Sequence, residues 1–263
     1  MDIADQRAYL KKIGLSHKPE VSQEGLISLH HQHFFSLPFE NFDIQLGKTI
    51  HLDPSQLFDK LVNHHRGGYC FELNGLLLIA LQTFGFKATR LLARVHLSES
   101  PGALTHQINI VDVGGQKWLV DAGFGAGSPR EPIPLVEGVH AVDEYHQYAL
   151  EQCEPWGWLL KTNEKGIWKE SYSFHFHHYL QVDFDLGNHY TSTSPHTHFT
   201  QIRTASIPTH IGRISLNNFT LTVVENGVTH EELIPDTPAY LKTLQDYFGI
   251  QLEVPYHELL HSR

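Results

Sequence analysis

Between residues 71 and 84, apolar side chains recur at Leu73, Leu76, Leu77, Ala80, Leu81 and Phe84. Steps of three and four predict a helix with one buried face, and Gly85 supplies its stop. The same period marks earlier helices through Tyr9, Leu10 and Ile13, and through Leu26, Leu29, His30, His33 and Phe34. Asp53-Pro54 offers an N-cap followed by proline at the first helical position, ahead of Leu57, Phe58, Leu61 and Val62. From about residue 87 the pattern changes to strands over 87–97, 105–113 and 116–121, the last two joined by the hairpin signal Gly114-Gly115. Further strands are expected near 146–152, 156–162 and 172–184. The tail predicts strands 211–216, 219–225 and 228–234, with an Asn226-Gly227 turn, then a helix from Thr237-Pro238 to Phe248. The order is helical, then β, then mixed α/β.

Composition narrows the function classes. A chain of 263 residues is long enough for one large domain or two to three small, closely packed ones. Net charge is −10 and the 19 Lys and Arg are scattered, so there is no basic stripe and nucleic acid is not an expected partner. The longest apolar run, 76–81, is far short of a membrane span. The opening residues are charged throughout, without a signal-peptide apolar region, so the expectation is a cytoplasmic protein with no membrane partner and with Cys70 and Cys153 reduced.

Candidate chemistry begins at Cys70, which follows Gly67-Gly68 and opens the helix over 71–84. Unpaired amides and the helix dipole favour negative charge there, which suits a thiolate nucleophile, and Arg66 adds a nearby positive charge. A small apolar residue capping a core helix is the competing reading. A catalytic thiol needs a base and something to orient it. With 21 histidines, no single one is informative by itself, so geometry must choose. A two-residue loop at Gly114-Gly115 pairs residue i with residue 229 − i. His106 then lies on the same sheet face as Asp121, a diagonal neighbour with Cβ atoms ~7–8 Å apart. A four-residue loop preserves this, whereas a three-residue loop puts the two on opposite faces. A surface histidine and a turn-flanking aspartate remain the alternative.

At these residues the sequence resembles the arylamine N-acetyltransferase family of the prokaryotic type. RGGYCFELN (66–74) resembles its cysteine motif; Thr105-His106 and WLVDAGFG (118–125) resemble its His and Asp segments. LPFENFD (37–43) and NHYTSTSPHTHF (188–199) resemble further shared stretches. The resemblance implies an α+β fold: an N-terminal helical bundle (1–86), a central antiparallel β-barrel (87–188) and a C-terminal α/β lid (189–263), with a core like that of cysteine proteases and transglutaminases. It implies an acetyl-coenzyme A-dependent, ping-pong transfer to aromatic amines or hydrazines through a Cys70 thioester, without a metal. His106 is then the acid/base and Asp121 its orienter. Phe39, Tyr69 and Phe124 fall where the family lines its acceptor pocket, and Gly102, Ala103, Leu104 and Thr197 where members contact coenzyme A. His196 and His198 replace small residues common beside Thr197.

Other signals are set aside. HELLH (257–261) matches a zinc-protease pattern but ends two residues before the last residue. GFGAG (123–127) lacks the third glycine of a dinucleotide loop, and Pro129, Pro132 and Pro134 forbid the helix that must follow. The pairs His30-His31 and His64-His65 and the run 175–178 read as surface or core histidines, and Cys153 as structural. Three rival functions remain: an amide synthase acting on a polyketide chain, an acyl-coenzyme A hydrolase, and a catalytically silent acyl-coenzyme A binder, against which the spaced Cys, His and Asp argue.

Overall fold

The computed structural model describes residues 1–98, 100–142, 146–164 and 166–259. The N-terminal part is helical: α1 (Ile3–Lys12), α2 (Gln23–Ser36), α3 (Phe42–Gln45), α4 (Pro54–Phe58) and α5 (Cys70–Phe84). The Asp53 carboxylate caps α4 through the Ser55 N–H at 2.9 Å, as expected of an Asp-Pro start. After Phe58 the helix widens into a π turn, Asp59–Asn63, closed by His64 N–H on Asp59 O at 3.0 Å. The α5 face read from the sequence packs on Leu26 and Leu29 of α2 on one side, and on the β-structure through Leu92, Val111 and Val120 on the other.

The short strand β1 (Phe39–Glu40) interrupts the helices. It is followed later by β2 (Lys87–Val95), β3 (Leu104–Val113), β4 (Gln116–Val120), β5 (Ile133–Pro134), β6 (Gly138–Ala141), β7 (Gln147–Cys153), β8 (Gly157–Glu164) and β9 (Ile167–Phe174). Among the described residues, β2 to β9 form one antiparallel sheet in spatial order 5-4-3-2-9-8-7-6, curled around Leu91, Ile108, Ile110, Leu119, Leu150, Leu160 and Tyr172 as a barrel. The β3–β4 register is Asn109 with Val120 through Val113 with Gln116, the expected sum of 229. Gly114 (φ 62°) and Gly115 (φ 88°) both occupy the left-handed region, which a two-residue hairpin of this kind requires.

Beyond the barrel come α6 (Gln181–Thr193), α7 (His198–Gln201), α8 (Ala239–Phe248) and α9 (Tyr256–Leu259). Four strands, β10 (Thr204–Thr209), β11 (Gly212–Asn217), β12 (Thr220–Glu225) and β13 (Val228–Leu233), join β1 in a second antiparallel sheet of order 1-10-11-12-13. Tyr240, Leu244 and Phe248 of α8 cover this sheet through Leu216 and Leu221.

Three sequence expectations need correction. The strand read over 172–184 ends at Phe174, and 181–193 is helix. Phe184, Gly187, Asn188 and Thr191 face inward, but Val182, Leu186 and Tyr190 are exposed, so apolar residues on both faces obscure the helical period. That helix also runs across the 188/189 boundary drawn from sequence. Strand β10 was not read because Pro208 interrupts it. Of the HELLH stretch set aside above, His257 sits on the short helix α9, and His261 lies outside the described residues.

Candidate active site

The nucleophile candidate and its partners come from three elements. Cys70 is the first residue of α5, after Tyr69 in extended conformation. It is 4 % exposed, with its Sγ 3.7 Å from Thr105 O. His106 comes from β3, just past a bulge at which the β2–β3 register shifts between Ala93 and Arg94. Such bulges turn a side chain off the regular pleat. The ring is 2 % exposed and its Nε2 lies 2.8 Å from Asp121 Oδ2, leaving Nδ1 as the nitrogen available to the sulfur beside it.

Asp121 is fully buried, and its other oxygen, Oδ1, accepts from Asn74 Nδ2 (2.7 Å) and Gly123 N–H (2.9 Å). Burial alone would raise this carboxyl; His106, Asn74 and the Gly123 amide more than offset it and hold it below its usual range. Burial likewise disfavours the His106 imidazolium, but the Asp121 charge and the adjacent Cys70 raise its pKa well above the ordinary value.

Asn74 was missed by the sequence reading, although its position four residues after Cys70 puts it on the same helical face. It donates to Gln107 O (2.6 Å) as well as Asp121, accepts from Ala122 N–H (2.9 Å), and its own carbonyl accepts from Asn109 Nδ2 (2.9 Å). One buried amide thus ties α5 to β3 and to the Asp121 loop. The same loop needs glycine at 123, where a Cβ would stand 2.8 Å from Cys70 Cα.

Behind Cys70 lies a buried ion cluster. The positive charge of Arg66 is claimed by carboxylates: its Nε donates to Glu40 Oε1 (2.8 Å) and its Nη1 to Asp43 Oδ1 (2.9 Å). Lys60 bridges Asp43 Oδ2 and Glu72 Oε1, both at 2.7 Å. The carboxylates in turn hold the loop, Glu40 through Gly67 N–H (3.2 Å) and Glu72 through Tyr69 N–H (3.1 Å). Burial pushes Asp43 up, yet Lys60 and Arg66 bring it down to about 2.

The expected binding residues divide. Phe124 is half-buried, its ring 4.8 Å from His106 and 5.0 Å from Tyr172. Phe39 borders a cavity of about 770 Å³ that Ala122, Gly125, Ile207, Lys169 and Arg213 also line. Tyr69 is different. Its ring is fully enclosed against Phe71 and Phe199, and its hydroxyl donates to Asn188 Oδ1, so it braces α5 against α6 and presents no face to that cavity. Gly102 and Ala103 are exposed, Leu104 is half-buried, and Gly102 is tied to Val95 O (2.8 Å). The Thr197 hydroxyl donates to Thr191 O and Ser194 O, both at 2.9 Å, so its proton is committed within the chain. None of these four is among the described residues lining the 770 Å³ cavity.

The chain is also similar to known proteins along most of its length. A family model described as N-acetyltransferase matches residues 23–256. The arylamine N-acetyltransferase of Escherichia coli is 34 % identical over 95 % of this chain and 90 % of its own length. The solved arylamine N-acetyltransferase of Salmonella typhimurium superposes with a TM-score of 0.92 at 31 % identity, covering 98 % of this chain and 97 % of that one. The Mycobacterium marinum enzyme, solved in complex with CoA, gives 0.90 at 30 % identity, covering 97 % and 96 %. With matches at this identity along nearly its whole length, the chain belongs to the arylamine N-acetyltransferase family.

Proposed function

We propose that the protein carries an acetyl group from acetyl-coenzyme A to an aromatic amine or hydrazine by a ping-pong route through a Cys70 thioester. The observation that supports this best is the Asp121-anchored His106 beside a thiol at a helix start. His106 takes the Cys70 proton on Nδ1, and Asp121 favours the imidazolium so formed. The thiolate attacks the donor's carbonyl carbon; the C–S bond to coenzyme A breaks, and the departing thiolate recovers a proton from His106. An aryl amine, unprotonated at neutral pH, then attacks the acetyl-Cys70 carbonyl while His106 removes a proton from its nitrogen. The Cys70 thiolate leaves and the N-acetyl product forms.

The hydrogen bonds restrict the choice of oxyanion donor. Gly67, Gly68 and Tyr69 N–H are committed to Glu40, Pro38 O and Glu72. The Cys70 N–H, first in its helix, needs no intrahelical partner, and we assign it this role. The 770 Å³ cavity meets the site at Phe39 and Ala122, beside Asp121, though Cys70, His106 and Phe124 are not among its described lining; we take it as the substrates' approach, with Lys169 and Arg213 suited to a phosphate-bearing donor.

Intact-mass measurement after mixing with acetyl-coenzyme A is expected to show one acetyl group on Cys70, removed by an aryl amine as its N-acetyl product. Acetyl on Cys153, or on no residue during turnover, would overturn the nucleophile assignment; loss to water at the same rate without amine would indicate a hydrolase.

Phe124→Ala separates substrate contact from support of His106. Loss of an aromatic partner and some burial is expected to lower kcat/KM for aryl amines roughly tenfold or more, while acetylation of Cys70 changes far less. If both half-reactions slow equally, Phe124 serves to pack His106, which its ring touches.

A further inference from the structure

Lys60 has no part in the chemistry above, yet it is half-buried at the back of the nucleophile's helix. It comes from the π turn Asp59–Asn63, a rare geometry that recurs where a helix must place one side chain off its regular spacing. Its ammonium is 2.7 Å from Glu72, whose side chain is 3 % exposed. The second Glu72 oxygen accepts the N–H of Tyr69, the residue immediately before Cys70. From this chain of contacts we propose that Lys60 is a positioning residue for Cys70, acting through Glu72 to hold the Tyr69 amide and the first turn of α5. The proposal rests on reading Cys70 as the acetylated nucleophile.

Charge balance explains why a cation is needed at this point. The cluster contains three carboxylates, Glu40, Asp43 and Glu72, against two enclosed cations, Lys60 and Arg66, with the exposed Lys48 adding a looser contact to Asp43 at 3.9 Å. Arg66 is committed to Glu40 and Asp43, so Lys60 is the partner that faces Glu72 among the described residues. Burial raises the Glu72 carboxyl, and Lys60 is the main influence opposing it. Without Lys60, Glu72 either takes up a proton or turns toward water in the polar cavity of about 510 Å³ that Lys60, Glu72, Asp43 and Arg66 all line. A Glu72 turned to water no longer holds the Tyr69 N–H, and the sulfur loses its fixed position relative to His106. A misplacement of about 1 Å can cost on the order of a hundredfold in rate.

The experiment measures the rate of Cys70 acetylation by acetyl-coenzyme A alone, by rapid quench and intact mass. Lys60→Met is expected to slow it roughly ten- to a hundredfold with little change in the donor concentration for half-saturation. The double variant Lys60→Met/Glu72→Gln should recover severalfold, since a neutral amide oxygen accepts from Tyr69 N–H without needing a cation. Lys60→Ala should regain rate on addition of ethylammonium, which the adjoining cavity admits. A parental rate in Lys60→Met overturns the proposal, as does a loss that neither Glu72→Gln nor ethylammonium relieves. Failure of the parent itself to acetylate on Cys70 would instead overturn the functional reading beneath it.

Discussion

Asp121→Asn should slow alkylation of Cys70 by iodoacetamide roughly thirtyfold at pH 7, because an unassisted thiol is only a few per cent ionised there. The hydrogen bonds dictate the mechanism. Asp121 Oδ1 already accepts two donors, from Asn74 and Gly123, so an amide at 121 keeps its oxygen on that side and turns its NH₂ toward His106. His106 Nε2 must then accept, the ring proton moves to Nδ1, and the nitrogen facing the sulfur can no longer take its proton. Acetyl transfer should fall further, by roughly 10²–10⁴-fold in kcat/KM, as for other sites where the orienting acid becomes an amide. Alkylation should recover toward alkaline pH as the thiol ionises by itself.

Linkage adds an independent check on the pair. His106 is raised above the ordinary 6.5, so its contribution to stability is complete below that pH and is lost as pH rises through the raised value. Asp121 is lowered from 3.8, so its contribution is present above that pH and is lost as pH falls through the lowered value. The pair therefore stabilises most between about pH 4 and 6.5. Alkylation and urea-midpoint profiles of Asp121→Asn that match the parent's would show that Asp121 does not support the pair.

Arg66→Gln is expected to cost about 3–5 kcal/mol of folding stability, the usual result of removing one partner from a buried ion pair. The Glu40 side chain is fully buried, and both its contact with Arg66 and that of Asp43 would be lost together. Asp43 provides the pH signature. It is held at about 2 by Lys60 and Arg66 against its burial, so the stability it contributes is present above 3.8 and lost as pH falls toward 2. With one cation removed that contribution shrinks, so the gap between parent and variant should narrow as pH drops from about 4 to about 2. Denaturant titrations across this range provide the measurement. A loss below 1 kcal/mol, or a gap independent of pH, would show that the cluster does not anchor the loop.

The parts of the site that follow local rules were legible in the residues. Helical spacing from Leu73 to Phe84 located the start of α5, and two consecutive glycines suggested a two-residue hairpin, one of the loop lengths that put His106 and Asp121 on one face. What escaped depends on contacts between distant segments. The bulge beside His106 exists only when β3 is laid against β2, and nothing in the local pattern of Thr105-His106 announces it. Arg66 looked like a positive neighbour for the thiol because the sequence does not show that Glu40 and Asp43 would claim it. Tyr69 looked like a pocket wall because its enclosure comes from α6, a helix not read from the sequence, and from Phe199, which lies 130 residues later in the chain.

The two-residue strand β1 has a mechanical meaning. Phe39 and Glu40 pair with Ser206 and Ala205 of the second sheet, while Phe39 also bridges Gly68 and Glu40 N–H donates to Gly68 O at 2.9 Å. The edge of the second sheet and the loop just ahead of Cys70 are therefore stitched to the same two residues. A swing of the second sheet about the 194–203 connection would pull first on the backbone just ahead of Cys70. On the proposed two-step route, donor and acceptor would exchange past a frame that must stay still if Cys70 is to stay in place, because β1 couples the two.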